Sequence, residues 1–164
     1  MPMTSPVVDK GRKQPGTYVL LIRLDSGLAL PTGSLGLTVY PSGWYAYVGS
    51  AMGGLAGRIR HHLRPHQRPH WHIDYLLPHG AAAMVIVGPA TRRLECLVAG
   101  ALARRFQVLR RFGSSDCRCP GHLFHDDEAR PIVTTALEAL RCLGCEPREY
   151  NLSAAGLNDA NASL

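Results

Sequence analysis

The chain has 164 residues, 46% hydrophobic and 18% charged, with a mean hydropathy of −0.04, a globular composition whose length suits one domain with a modest core rather than two. No apolar run reaches the roughly 18 residues of a membrane-spanning helix, and the opening Met1–Pro6 lacks the charged and apolar blocks of a signal peptide, so a soluble cytoplasmic protein without membrane attachment is expected. Eighteen basic against twelve acidic residues give +6, and all the basic ones except Lys10 and Lys13 are arginines, whose forked donors suit phosphate oxygens; arginine-rich codon usage would leave the same mark.

Residues 1–14 read as a flexible leader and 151–164 as a flexible tail around one domain at 15–150. Within it, Gly16 to Leu24 (GTYVLLIRL) is rich in β-branched and aromatic residues and predicts a strand. Residues 25–43, broken by glycines and prolines, predict a long hairpin connection with a short strand near Leu37 to Tyr40. Trp44 to Gly49 predicts the second strand. Leu55, Ile59 and Leu63 recur at four-residue spacing and predict a helix over 55–63, with Arg58 and His62 one turn apart on another face.

His70 to Leu77 predicts a short helix ended by Pro78, and Ala82 to Val87 a third strand stopped by Gly88-Pro89. Thr91 is the expected N-cap of a helix from Arg92 to about Phe106, with Leu94, Leu97, Val98, Ala101 and Leu102 inward. Asp116 to Asp127 reads as a loop, within a Cys/His-rich extension over 113–150, and Ile132 to Leu143 as a last helix ended by Gly144. The expected fold is α+β: a small three-stranded mixed or antiparallel sheet flanked by helices, in the order β-β-α-α-β-α plus a C-terminal helix.

Gly16-Thr17-Tyr18 opens the first strand and Tyr47-Val48-Gly49 closes the second; Arg58 and His62 follow on the first helix and Glu95 on the helix after the third strand. In this order the residues resemble the GIY-YIG nuclease family over 16 to about 106, and Tyr47-Val48-Gly49-Ser50-Ala51 is similar to the version in its homing endonucleases. The resemblance implies hydrolysis of phosphodiester bonds in double-stranded or branched DNA with one Mg²⁺ or Mn²⁺. It assigns water activation to Tyr18, shaping of the site to Tyr47, phosphate binding to Arg58, and the metal to Glu95. Thr17 stands where isoleucine is usual, the 25–43 interval is an insertion, and Ser50 stands where the repair branch often has lysine.

The residue types suit that chemistry. A guanidinium and a hard cation offset charge that develops on phosphate oxygens, and a single carboxylate with waters is an ordinary Mg²⁺ shell. A tyrosine is a poor base at neutral pH unless positive charge lowers its pKa, and His62 can assist proton transfer. The bland alternatives are two packed aromatics, a solvated helix face, and Glu95 paired with Arg92, Arg93 or the helix terminus.

Further candidates surround this set. His66, His70, His72 and Asp74 lie within nine residues; His70 or His72 lines the site, or a histidine bonds Asp74 structurally. Trp71 and Tyr75 read as core, or else as base-stacking groups. Arg60, Ser50 and the small polar residues Ser114 and Ser115 are candidates for substrate binding. Five cysteines without a secretion signal argue against a disulfide scaffold. Cys117, Cys119, Cys142 and Cys145, with His122, predict a Zn²⁺ site, or else packed free thiols. The competing functions are an inactive nucleic-acid-binding protein of the same fold and a zinc-stabilised interaction module. No protein partner is specified.

Overall fold

The computed structural model describes residues 13–65 and 68–152. Residues 1–12 of the leader expected at 1–14, His66, and residues 153–164 of the tail expected at 151–164 lie outside the described residues, while Asn151 belongs to a strand rather than to a tail. The elements run β1 (Gly16–Leu24), β2 (Leu28–Pro31), a 3₁₀ turn (Gly33–Leu35), β3 (Leu37–Tyr40), β4 (Gly43–Ala51), α1 (Leu55–Leu63) and α2 (His72–Leu76). After a second 3₁₀ turn (Leu77–His79) come β5 (Ala81–Pro89), α3 (Glu95–Ala103), β6 (Gln107–Leu109), β7 (Leu123–Asp126), α4 (Ala129–Cys142) and β8 (Arg148–Asn151). No helix among the described residues is long and apolar enough to cross a membrane.

The expected α+β class holds, but the main sheet has six strands, not three, in the order β6-β7-β4-β1-β5-β8, with every pair antiparallel. The predicted strands form its centre, β4-β1-β5. The three added strands are short, and β7 (Leu-Phe-His-Asp) and β8 (Arg-Glu-Tyr-Asn) carry polar residues that hide the period-2 signal. The insertion at 25–43 forms a separate two-stranded sheet of β2 and β3.

Alternation along β1 divides the core. Tyr18, Leu20 and Ile22 face Leu55 and Ile59 of α1 and Ile73 and Leu76 of α2. Val19 and Leu21, with Val48 and Ile86, face Val98 and Leu102 of α3 and Ile132, Ala136 and Leu140 of α4. Both faces of the central strands are therefore buried, which explains the unbroken apolar run of β1.

Helix α3 begins at Glu95, three residues later than expected. The expected cap Thr91 is exposed, whereas the Leu94 N–H donates to the hydroxyl of buried Thr17 at 3.3 Å. Thr17 thus does what isoleucine could not: it binds the start of α3 to the first strand. Leu97, expected inward, is 54% exposed, while Leu94, Val98, Ala99 and Leu102 are buried.

Thr17→Val should leave the buried Leu94 N–H without its acceptor and destabilise the chain by about 1–3 kcal/mol, whereas Thr17→Ser keeps most of that stability. Urea unfolding midpoints of the two variants check this; loss in Thr17→Ser with none in Thr17→Val would show that the methyl group, not the hydroxyl, matters.

Candidate active site

Tyr18 lies on β1 opposite Gly49 of β4, and Tyr47 lies opposite Leu20 in the same ladder. Their rings stand 6.3 Å apart, on the α1 side of the sheet. A Cβ on Gly49 would meet the Tyr18 hydroxyl at 2.5 Å, so only glycine lets the phenol cross the neighbouring strand. The hydroxyl reaches His62 Nε2 at 2.6 Å. His62, at the last turn of α1, is buried rather than on a solvated helix face.

Behind His62 stands Asp74 of α2, whose Oδ1 is 3.9 Å from His62 Nδ1 and whose Oδ2 is 3.7 Å from His61 Nε2. Asp74 Oδ2 also accepts the backbone N–H groups of His70 at 2.9 Å and Trp71 at 3.0 Å. Burial pushes the Asp74 carboxyl up, but those two N–H groups, with His61 and His62, more than offset it and hold the pKa below the 3.8 of a free aspartate. Burial, and then Tyr47, raise the Tyr18 pKa well above 10, with Arg58 offsetting only part; burial and then Glu95 raise that of Tyr47. Tyr18 is thus a neutral phenol at pH 7. The anionic Asp74 favours the proton on His62 Nδ1, so Tyr18 donates to Nε2.

An open groove of about 430 Å³ is lined by Tyr47, Gly49, Ser50, Arg58, Arg93 and Glu95. Tyr18 and His62 are not in its lining, and His62 with Asp74 lines a separate pocket. Arg58 Nη1 donates to the Ser50 carbonyl at 3.2 Å, and its guanidinium stacks 4.5 Å over the Trp71 ring, so the cation is held at the groove by contacts on two sides. Arg93 Nη1 is 3.6 Å from Glu95 Oε1, a partly exposed pair that Glu95 can leave at little cost. The body of α3 packs on the opposite sheet face, yet its first residue reaches the groove past the strand ends.

The other predicted residues divide. Ser50, Ser115, His70 and His72 line the groove. His72 also has a structural role. Its Nδ1 accepts the Gly113 N–H at 2.9 Å, which leaves Nε2 to donate to the Ser34 hydroxyl at 3.1 Å, tying the insertion to the 113–122 loop. Burial and then Arg111 lower its pKa, which keeps the ring neutral. Ser114 is buried against a separate pocket, and Arg60 lines another with Gly57 and His61. Trp71, expected in the core, is only half-buried and forms groove wall. Asp116 also lines the groove, at the end of the Phe112–Asp116 segment whose small polar residues read as a site-lining loop, and so does Arg93, which the sequence offered only as an ion-pair partner of Glu95.

The cysteines regroup. Cys96, Cys117, Cys119 and His122 bring their ligand atoms within 4.8 Å of one another, a set that can hold a metal ion. Cys142 and Cys145, expected as ligands, are not in it: Cys142 is exposed, and Cys145 is buried in the α3–α4 core. The Cys-x-x-Cys spacing misled because it falls at the end of α4, while Cys96, isolated in sequence, joins from α3. Burial, and then Cys119 and Cys117 beside it, push the Cys96 thiol up to about 12.

Residues 17–145 match the family model described as Domain of unknown function DUF123, and the chain belongs to that family. No curated protein and no solved structure matches it.

Because the folded pKa of Asp74 lies below its unfolded value, its ionisation stabilises the fold above about pH 4 and that contribution is lost as pH falls through the folded pKa. Asp74→Asn should therefore lower stability at neutral pH and flatten the acid limb of stability against pH, measured by urea unfolding at a series of pH values. An acid limb identical in the two proteins would exclude this carboxylate as its source.

Proposed function

We propose that this member of the DUF123 family is a divalent-metal-dependent endonuclease of the GIY-YIG type that cuts DNA. The observation that carries the reading is convergence: Tyr47, Arg58 and Glu95, spread over less than a third of the chain, line one groove, and the hydrogen-bonded Tyr18–His62 pair, buried outside that lining, packs against the Tyr47 ring. The net charge of +6 supports binding to a polyanion through salt-sensitive backbone contacts.

In this reading Arg58, held between the Ser50 carbonyl and Trp71, binds the scissile phosphate and offsets the charge that grows on its nonbridging oxygens. The attacking water gives its proton to the Tyr18 oxygen as Tyr18 passes its own to His62 Nε2. The water oxygen bonds to phosphorus as the P–O bond to the leaving oxygen breaks; that oxygen takes a proton from solvent, and the His62 imidazolium later returns its own to solvent. This relay removes the difficulty of a buried phenol as base: Tyr18 need never ionise, because the imidazole takes the charge and Asp74 stabilises the resulting imidazolium. His62 and Asp74 are thus positioned as an Asp–His–Tyr chain.

The donor set of the groove fits a hard cation: Glu95 would hold Mg²⁺ or Mn²⁺ with water and phosphate oxygens, and Asp116 lines the same space. The ion would supply further charge neutralisation at the phosphate and the leaving oxygen. Soft thiolates suit Zn²⁺ instead, and in this reading the cysteine cluster takes that ion. Free thiols without a disulfide among the described residues fit a cytoplasmic setting.

A second reading has its own observation. Tyr18 is only 1% exposed, which suits a fold that binds nucleic acid without cutting it.

A panel of nicked, flapped and branched DNA with Mg²⁺, Mn²⁺ or chelator decides between them. The enzyme reading expects cleavage that needs the metal and falls by about 10²-fold or more in Glu95→Ala, with binding retained. Tyr18→Phe and His62→Ala should each cost about 10²–10⁴-fold, and their double variant hardly more than either, because the two act as one relay. Binding that survives chelation with no cut on any substrate selects the second reading; cleavage unaffected by Glu95→Ala overturns the assignment of Glu95.

A further inference from the structure

Cys96, Cys117, Cys119 and His122 form the one thiol–imidazole group of metal-binding size found among the described residues. We propose that these four side chains bind one Zn²⁺ as a closed structural site that clamps the start of α3 to the 113–122 loop and thereby fixes Glu95 in the groove.

The geometry is that of a tetrahedral set slightly expanded. Zn–S bonds of about 2.3 Å place tetrahedral ligand atoms about 3.8 Å apart. Here all four lie within 4.8 Å of one another, and Cys117 Sγ is already 3.4 Å from His122 Nε2. His122 is 3% exposed, and its backbone is tied on both sides: its N–H donates to the Phe112 carbonyl at 2.7 Å and its carbonyl accepts the Val48 N–H at 2.9 Å. The imidazole is thus delivered by the edge of the sheet. Three thiols around it offer one another only weak S–H hydrogen bonds. A soft dication that takes thiolates and imidazole would convert that crowding into four strong bonds. Three thiolates and one imidazole fill a tetrahedral shell and leave no open position, so the site is structural rather than catalytic.

The ligands also come from the right places to act as a clamp. Cys96 is the second residue of α3, directly after Glu95. Cys117 and Cys119 lie in the loop whose Gly113, Ser115 and Asp116 also line the groove. One ion therefore crosslinks two segments that line it. The zinc assignment stands on the cluster alone; its importance for Glu95 rests on the nuclease reading above.

The full chain, purified under reducing conditions from zinc-supplemented medium, should carry about one zinc per chain by elemental analysis. Replacing the ion with Co²⁺ should give thiolate-to-cobalt charge-transfer bands and the intense visible bands of a tetrahedral ion. Cys96→Ser and Cys119→Ser should each weaken metal binding by about tenfold or more, while Cys142→Ser and Cys145→Ser leave it unchanged. Stripping zinc from the wild-type chain should speed amide exchange in the first turn of α3 and in the 113–122 loop together. Substoichiometric zinc with no tetrahedral cobalt spectrum overturns the site, and loss of zinc in Cys142→Ser but not in Cys96→Ser overturns its ligand set. Faster exchange in the loop alone overturns the clamp. A chain that holds zinc and cuts nothing refutes the nuclease reading and leaves the site intact; one that cuts DNA without zinc does the reverse.

Discussion

The hydrogen bond from Tyr18 to His62 governs the arrangement around it. A phenol buried to this degree would cost about 1–3 kcal/mol if its hydroxyl lacked a partner, so β1, β4 and α1 must meet at one spacing. Gly49 meets that demand from β4 by presenting no side chain where the phenol crosses. From α1 it is met by the last helical turn, which brings His62 beneath the sheet. Asp74 then follows: a buried imidazole that accepts a hydrogen bond at Nε2 carries its proton at Nδ1, and a carboxylate 3.9 Å away favours that form. The carboxylate in turn is kept ionised by the amide groups that start α2. A chain of polar groups, Tyr18, His62 and Asp74, thus runs beneath the sheet with charge at its far end.

The groove itself depends on where the sheet stops. β1 begins at Gly16, and its partners end at Ala51 and Pro89, all at one edge. Beyond that edge, side chains from opposite faces can meet without passing through the sheet. The Ala90 N–H bonds the Pro15 carbonyl at 3.0 Å and the Leu94 N–H bonds Thr17, so the link from β5 to α3 is held against the start of β1. Glu95 follows that link. Thr17 is therefore part of how the carboxylate reaches the groove.

The central strands β1, β4 and β5 and the helix over 55–63 were legible because burial on one or both faces imposes a period on their residues. The tyrosines, Arg58 and Glu95 each read alone as packing or solvated charge; only their order in the sequence set them apart, and of these the structure brings Tyr47, Arg58 and Glu95 to one groove. Strands β6, β7 and β8 were not, because three or four residues with polar members carry no resolvable period. Cys96 was hidden for a different reason. Ligand spacing is informative when one loop supplies a pair, as Cys117 and Cys119 do, but not when the next ligand comes from a helix 21 positions upstream of Cys117. Asp74 was legible only as a partner for histidine in general; which histidine depended on α1 and α2 packing side by side.

Glu95 and Cys96 are consecutive, and this sets a constraint on the chemistry. Adjacent residues on an α-helix point about 100° apart, so a single helical start can send an oxygen donor into the groove and a sulfur donor into the thiol cluster. Ligand hardness keeps the two assignments separate: a carboxylate among waters holds Mg²⁺ loosely and exchanges it readily, while three thiolates and an imidazole prefer Zn²⁺. Were both ions present, the tightly held one would fix the backbone from which the loosely held one hangs. Rigid support and an exchangeable centre would then be separated by a single peptide bond, with the fold rather than affinity alone deciding which ion goes where.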